Sequence, residues 1–157
     1  MVPSKNASLK SKASYPLTLE LRVLSEGAAT GELLPSMEAV SFFGGTDLES
    51  GRVTEAGHPL ENVCMAGKIL VFPTGKGSTV GSYALYRLAK NGNAPAALVM
   101  VDAEPIVTTG AILAGIPCVD GISRGVLEAL VKDAGEHSLR VHLDQGRLTI
   151  EICRKGR

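Results

Sequence analysis

The sequence predicts an α/β fold in which a core containing parallel strands is flanked by helices and followed by a C-terminal hairpin. Three observations support it. Lys68 to Phe72 holds the uninterrupted run Ile-Leu-Val-Phe, and Ala96 to Val101 holds a second short apolar run. Runs of this kind suit strands buried on both faces. Between them, a glycine turn at Pro73 to Gly77 leads into a stripe of apolar residues at helical spacing. Strand, helix and strand within so short a stretch form a βαβ unit with parallel strands. Near the end, Leu139, Val141 and Leu143 alternate, Asp144-Gln145-Gly146 turns the chain, and Leu148, Ile150 and Ile152 alternate again.

The remaining elements follow in order. Met1 to Ser14 carries Lys5, Lys10 and Lys12 with no apolar block behind them, so it reads as a disordered polar tail and not a secretory signal. Residues 15–153 read as one domain, the number expected for a chain of 157 residues. Leu17, Leu19, Leu21 and Val23 alternate as a half-buried strand. A turn over Gly27 to Gly31 precedes a short strand around Glu32 to Leu34. From Ser41 to about Val63 the chain is polar and broken by Gly44, Gly45, Gly51, Gly57 and Pro59. That stretch reads as a long loop, and the part from Phe43 to Val63 is expected to form much of a partner interface. Ser78 is placed to cap the helix of the βαβ unit, with Val80, Tyr83, Ala84 and Leu88 inward and Asn91-Gly92 as its stop. Glu104-Pro105 starts a short helix, Ile106 to Gly115. Ile116 to Val119 is a further strand. Ser123 caps a last helix with Val126, Leu127, Leu130 and Val131 inward, and Arg154 to Arg157 fray.

Composition sets limits on function. Sixteen basic and sixteen acidic side chains cancel, which argues against a general nucleic-acid binder. No apolar run approaches the roughly 18 residues needed to span a bilayer, so no membrane role is expected. Cys64, Cys118 and Cys153 are scattered and form no CxxC pair. His58, His137 and His142 add no ligand spacing, so the cysteines read as small buried hydrophobes in a reducing, cytoplasmic setting.

The segment that carries chemistry is Phe72 to Tyr83, Phe-Pro-Thr-Gly-Lys-Gly-Ser-Thr-Val-Gly-Ser-Tyr. A glycine turn at a helix start exposes backbone N–H groups, and the helix dipole adds partial positive charge there. Lys76 supplies a full charge, and Ser78 and Thr79 supply hydroxyls, so the segment suits a phosphate or carboxylate. It is no Walker A loop, because Gly77 follows Lys76 and Leu70 stands where the first glycine is required. The plainer alternative is that Gly75 and Gly77 only make a tight turn and Ser78 only caps. Glu104 either lines the site or pairs with a surface lysine, and His58 reads as a solvated loop histidine.

Phe72 to Tyr83, with Ala94-Pro95-Ala96-Ala97, Glu104 to Ile112, and Ser41 to Asp47 followed by Ser50-Gly51, resembles the small subunit of the aconitase X family. The similarity covers about Leu17 to Gly121. It implies a swivelling β/β/α domain that closes over a large catalytic subunit, in a heterodimer or higher assembly. An iron–sulfur cluster would then be held by the large subunit and not by this chain. It implies a hydro-lyase whose proton acceptor is Ser78, with Gly75, Lys76, Gly77 and Thr79 binding a small anionic substrate. Archaeal-type members dehydrate (R)-5-phosphomevalonate to trans-anhydromevalonate 5-phosphate, within the mevalonate pathway of isoprenoid biosynthesis. Bacterial relatives act on cis-3-hydroxy-L-proline. A non-catalytic swivel domain that binds a phosphorylated metabolite is a further reading. Swivelling domains also resemble phosphohistidine carriers, but that role needs a histidine in the short helix and none lies between His58 and His137.

Overall fold

In a computed structural model, residues 14–153 are described. Apart from Ser14, the tail expected over 1–14 and the frayed end expected over Arg154 to Arg157 lie outside the described residues. The strands are β1 Leu17–Glu20, β2 Arg22–Ser25, β3 Ala28–Pro35, β4 Thr46–Asp47, β5 Arg52–Val53, β6 Ile69–Phe72, β7 Ala97–Met100, β8 Cys118–Asp120, β9 Leu139–Asp144 and β10 Arg147–Ile152. The helices are α1 Gly81–Lys90, α2 Pro105–Ala114 and α3 Arg124–Ala134. Eight strands form one mixed sheet in the order β1-β10-β9-β3-β6-β7-β8-β2, while β4 and β5 form a separate small ladder.

The parallel heart of the sheet is the expected βαβ unit. Ile69 pairs with Ala97 and Leu98 with Cys118, both in parallel register. Every residue of β6, β7 and β8 is buried, which accounts for their unbroken apolar runs. Their side chains alternate between two clusters. Ile69, Val71, Ala97, Val99 and Val119 join α3 and the inward residues of β9 and β10 in one. Leu70, Phe72, Leu98, Met100 and Cys118 join α1, α2 and the long loop in the other. Helix α3 therefore lies on one side of the parallel strands, and α1 and α2 lie on the other.

Strand β3 links the two halves. Ala28 to Glu32 pair antiparallel with β9, and Leu33 to Pro35 pair parallel with β6. Its first residues belong to the strand and not to the turn expected over Gly27 to Gly31. Gly31 pairs with Val141 in the ladder, and a glycine fits there because a Cβ would come within 2.6 Å of the Gly67 carbonyl oxygen. The alternating run from Leu17 to Val23 is likewise two strands, not one. β1 pairs with β10 and β2 with β8, at opposite ends of the sheet order, so the chain crosses between them at Leu21. The Leu21 N–H donates to the Gly146 carbonyl at that crossing. The hairpin turns through Gln145 and Gly146, both at positive φ, a two-residue loop that matches strand twist.

The helix phases also need one correction. Helix α1 begins at Gly81, and its buried side is Gly81, Ala84, Leu85 and Leu88. Val80 and Tyr83, expected inward, are exposed, because residues 78–81 form a turn that moves the N-cap from Ser78 to Val80, two positions on. The Asn91-Gly92 stop and the Ser123 cap of α3 are as expected, while Gly115, expected as the last residue of α2, is its left-handed C-cap. The long loop is more than a polar excursion: Phe42, Val53 and Leu60 are buried in the second cluster with Met65.

Asp120, at the end of β8, fixes the edge strand β2. Its carboxylate accepts two bonds from the Arg22 guanidinium, each 2.8 Å, and a third from the Ala103 N–H at 2.9 Å. The Arg22 bonds lead in lowering its pKa below the ordinary carboxylate value, against an opposing effect of burial. A carboxylate with a lowered folded pKa stabilises fully above its unfolded value, about 3.9, and loses that contribution as pH falls through the folded value. Asp120→Asn should therefore lower the urea midpoint at pH 7. The gap to wild type should narrow steadily below about pH 4, where the native carboxylate also becomes protonated. Parallel urea titrations at pH 7 and pH 3 check this, and a gap unchanged at pH 3 would contradict it.

Candidate functional site

The C-terminal ends of parallel strands are where open α/β sheets gather their loops. Here the loop after β6 carries Thr74 to Val80, and the turn after β7 leads to Glu104 and α2. Thr74 and Lys76 are strapped to the segment after β3. The Val40 N–H donates to the Thr74 carbonyl at 3.2 Å, and the Lys76 N–H donates to the Val40 carbonyl at 3.0 Å. Gly75 lies between them, buried.

On its other side Gly75 faces α2. Glu104 is the N-cap of that helix, accepting from the N–H groups of Ile106 at 2.9 Å and Val107 at 2.8 Å, with Pro105 at the first helical position. A Cβ on Gly75 would collide with the Val107 side chain and come within 2.8 Å of Glu104 Oε2. Glu104 thus lies against the glycine loop and, among the described residues, pairs with no lysine. It caps, and it packs against the loop.

Lys76, Gly77, Ser41, Gly44, Gly45 and Glu55 line a shallow cavity of about 260 Å³. That volume suits one phosphate or carboxylate group better than a whole drug-sized ligand. Lys76 Nζ lies 2.7 Å from Glu55 Oε2, so the lysine charge already has a counter-charge. Ser78 and Thr79 are exposed on the turn that follows and do not line this cavity. The Ser78 hydroxyl accepts the Val80 N–H at 3.1 Å within that turn. It is not the N-cap of α1: that position is Val80, which has no side-chain cap bond.

His58, Cys64 and Cys153 differ from expectation, and Cys118 matches it. His58 is buried, not solvated: its Nδ1 accepts the Leu60 N–H at 3.0 Å, so its Nε2–H donates to the Ala39 carbonyl at 2.9 Å. It anchors the long loop beside the strapped segment. Cys118 is a fully buried hydrophobe whose thiol is pushed up to about 12, chiefly by burial and then by the charge of Asp120. Cys64 and Cys153 are only half-buried. Among the described residues no three His, Cys, Asp or Glu side chains are grouped so as to hold a metal ion. The described residues thus offer no grouped donor set for an iron–sulfur cluster. No helix there is long and apolar enough to cross a membrane.

The aconitase X swivel-domain model matches residues 18–152, nearly the whole described chain. The chain belongs to the aconitase X swivel-domain family. Similar proteins include the phosphomevalonate dehydratase small subunit of Methanothermobacter thermautotrophicus, 46% identical over 132 residues, covering 84% of this chain and 98% of that one. The protein of the same name from Thermococcus onnurineus is 47% identical over 135 residues, covering 86% and 99%. Among solved structures, the crystal structure of Thermococcus kodakaraensis aconitase X in its holo-form superposes with a TM-score of 0.73. It is 42% identical and covers 88% of this chain and 99% of that one. The family brings an iron–sulfur enzyme context with it.

The contact of Gly75 with α2 has a direct test. Gly75→Ala should cost about 1 to 3 kcal/mol, the scale of overpacking a filled interior. Val107→Ala on the same chain should recover part of that loss by opening the space, so the two changes should couple in a double-mutant cycle. Urea midpoints of the four proteins measure the coupling, and strictly additive effects would show that Gly75 and Val107 do not compete for one space.

Proposed function

We propose that this chain is the small subunit of an aconitase X hydro-lyase that dehydrates (R)-5-phosphomevalonate to trans-anhydromevalonate 5-phosphate. The observation that carries the proposal is near full-length similarity to archaeal proteins bearing that small-subunit name, joined to an intact glycine loop at the strand ends. The large subunit is the partner and holds the iron–sulfur cluster, and the pair works in the cytoplasm. Phe43, Val80 and Tyr83 are exposed apolar side chains on the segments that carry the loop, a setting for partner contact.

In this reading Ser78 takes the proton from the carbon beside the substrate carboxylate, and the neighbouring hydroxyl leaves. A serine hydroxyl is a weak base in water and becomes useful where its alkoxide is stabilised. The Val80 N–H already donates to its oxygen, and the start of α1 contributes a field of the same sign. Lys76 and Thr79 orient the anionic substrate, while Gly75 and Gly77 keep the backbone thin beneath it.

Because Ser78 is exposed and caps no helix, Ser78→Ala should change stability by well under about 1 kcal/mol. In the assembled complex its turnover should fall by about two orders of magnitude or more, the scale of losing acid–base catalysis. Thr79→Ala should lose much less. Steady-state dehydration of phosphomevalonate by the purified two-subunit complex measures this, and near-normal turnover by Ser78→Ala would remove serine from the mechanism.

A further inference from the structure

Glu55 has no local motif to mark it, yet it supplies the carboxylate of the cavity. Its place is set by the backbone on several sides. The Thr54 N–H donates to the Gly45 carbonyl at 2.9 Å, and the His58 N–H donates to the Glu55 carbonyl at 3.2 Å. The buried His58 ring is in turn fastened to Ala39, next to the Val40 strap that holds Lys76. The loop therefore delivers a carboxylate to Lys76 from 21 residues away.

The side chain itself is loosely held. Lys76 is the one polar partner of its carboxylate among the described residues, and the two side chains are 31% and 43% exposed. An exposed pair of this kind contributes little and exchanges readily with a competing anion. Around the pair, the N–H groups of Gly44, Gly45 and Gly77 donate to no protein acceptor among the described residues. An anion entering the cavity would find Lys76 and free backbone donors, but only by replacing Glu55 at the ammonium.

We infer that Glu55 is a built-in stand-in for the substrate's anionic group: its carboxylate occupies Lys76 until a phosphate or carboxylate displaces it. Glu55 thus sets the affinity and selectivity of the anion site, and a ligand with a stronger or more highly charged anionic group competes better than a weak one. The inference rests on reading Lys76 as the residue that orients the substrate anion.

Inorganic phosphate titrated into the full chain, at fixed ionic strength and followed by amide NMR, tests it without turnover. Glu55→Gln should bind phosphate about two- to fivefold more tightly than wild type, the scale of releasing one exposed ion pair. The Gly44, Gly45 and Gly77 amides should move, and Lys76→Gln in the same chain should abolish the gain. Equal or weaker binding by Glu55→Gln overturns the inference, since a carboxylate that merely positioned Lys76 would weaken binding when lost. Absence of phosphate-dependent shifts at those amides in both proteins overturns it as well. In the two-subunit complex, Glu55→Gln should lower KM for phosphomevalonate with kcat within about twofold. A wild-type complex that does not turn over phosphomevalonate would refute the substrate assignment alone, and the phosphate comparison would still decide the role of Glu55.

Discussion

Strand β3 has to satisfy two kinds of partner along one backbone. Its first five residues are hydrogen-bonded antiparallel to β9 and its last three parallel to β6. Everything that makes the site follows from this division. The antiparallel part brings β10 and β1 to one side, and the parallel part seeds β6, β7 and β8, whose C-terminal ends carry the glycine loop and Glu104. The chain leaving β3 then runs past the end of β6, where Val40 bonds to Thr74 and Lys76. A slip of one residue in β3 would turn its buried side chains outward and carry Val40 away from the loop.

The parallel core was legible because its strands are buried on both faces, and a short unbroken apolar run has few other uses. The start of α2 at Glu104-Pro105, the Ser123 cap of α3 and the turn of the hairpin were legible for a similar reason: each depends on residues adjacent in sequence. The division at Leu21 was not, since alternation continues through β1 and β2 although they pair with different neighbours. The start of α1 was missed because Ser78 looks like a cap, while its hydroxyl in fact closes a turn two residues on. Val80 and Tyr83 keep helical spacing with Ala84 but lie on the exposed side, a matter of phase that only the start of the helix decides.

The glycine loop could be found from sequence, but not what surrounds it. Gly75 and Lys76 carry local signals; Glu55, His58 and Val107 carry none, and all three bear on the site through contacts made by folding. His58 is the clearest case. A loop histidine between Gly57 and Pro59 suggests solvent, yet the loop brings its own apolar residues, Val53 and Leu60, into the second cluster, and the His58 ring is buried with both nitrogens hydrogen-bonded. Local polarity was a poor guide there because the loop's few apolar residues do the anchoring.

The crossing at Leu21 bears on the order in which the molecule can be completed. During synthesis β1 and β2 emerge ahead of every other described strand, yet β2 needs β8, and β1 needs β10, whose ladder reaches Ile150. Strands β1 and β2 therefore wait for β10 and β8, which follow much later in the chain. Contacts so distant along the chain form slowly because a long loop must close before they reward it. Until then β8 and β10 remain unpaired edges of the kind that invite association with other chains. Strands β1 and β2 thus act as the closing seam of the domain, and a chain without the β9–β10 hairpin has nothing for Leu17 to Glu20 to pair with.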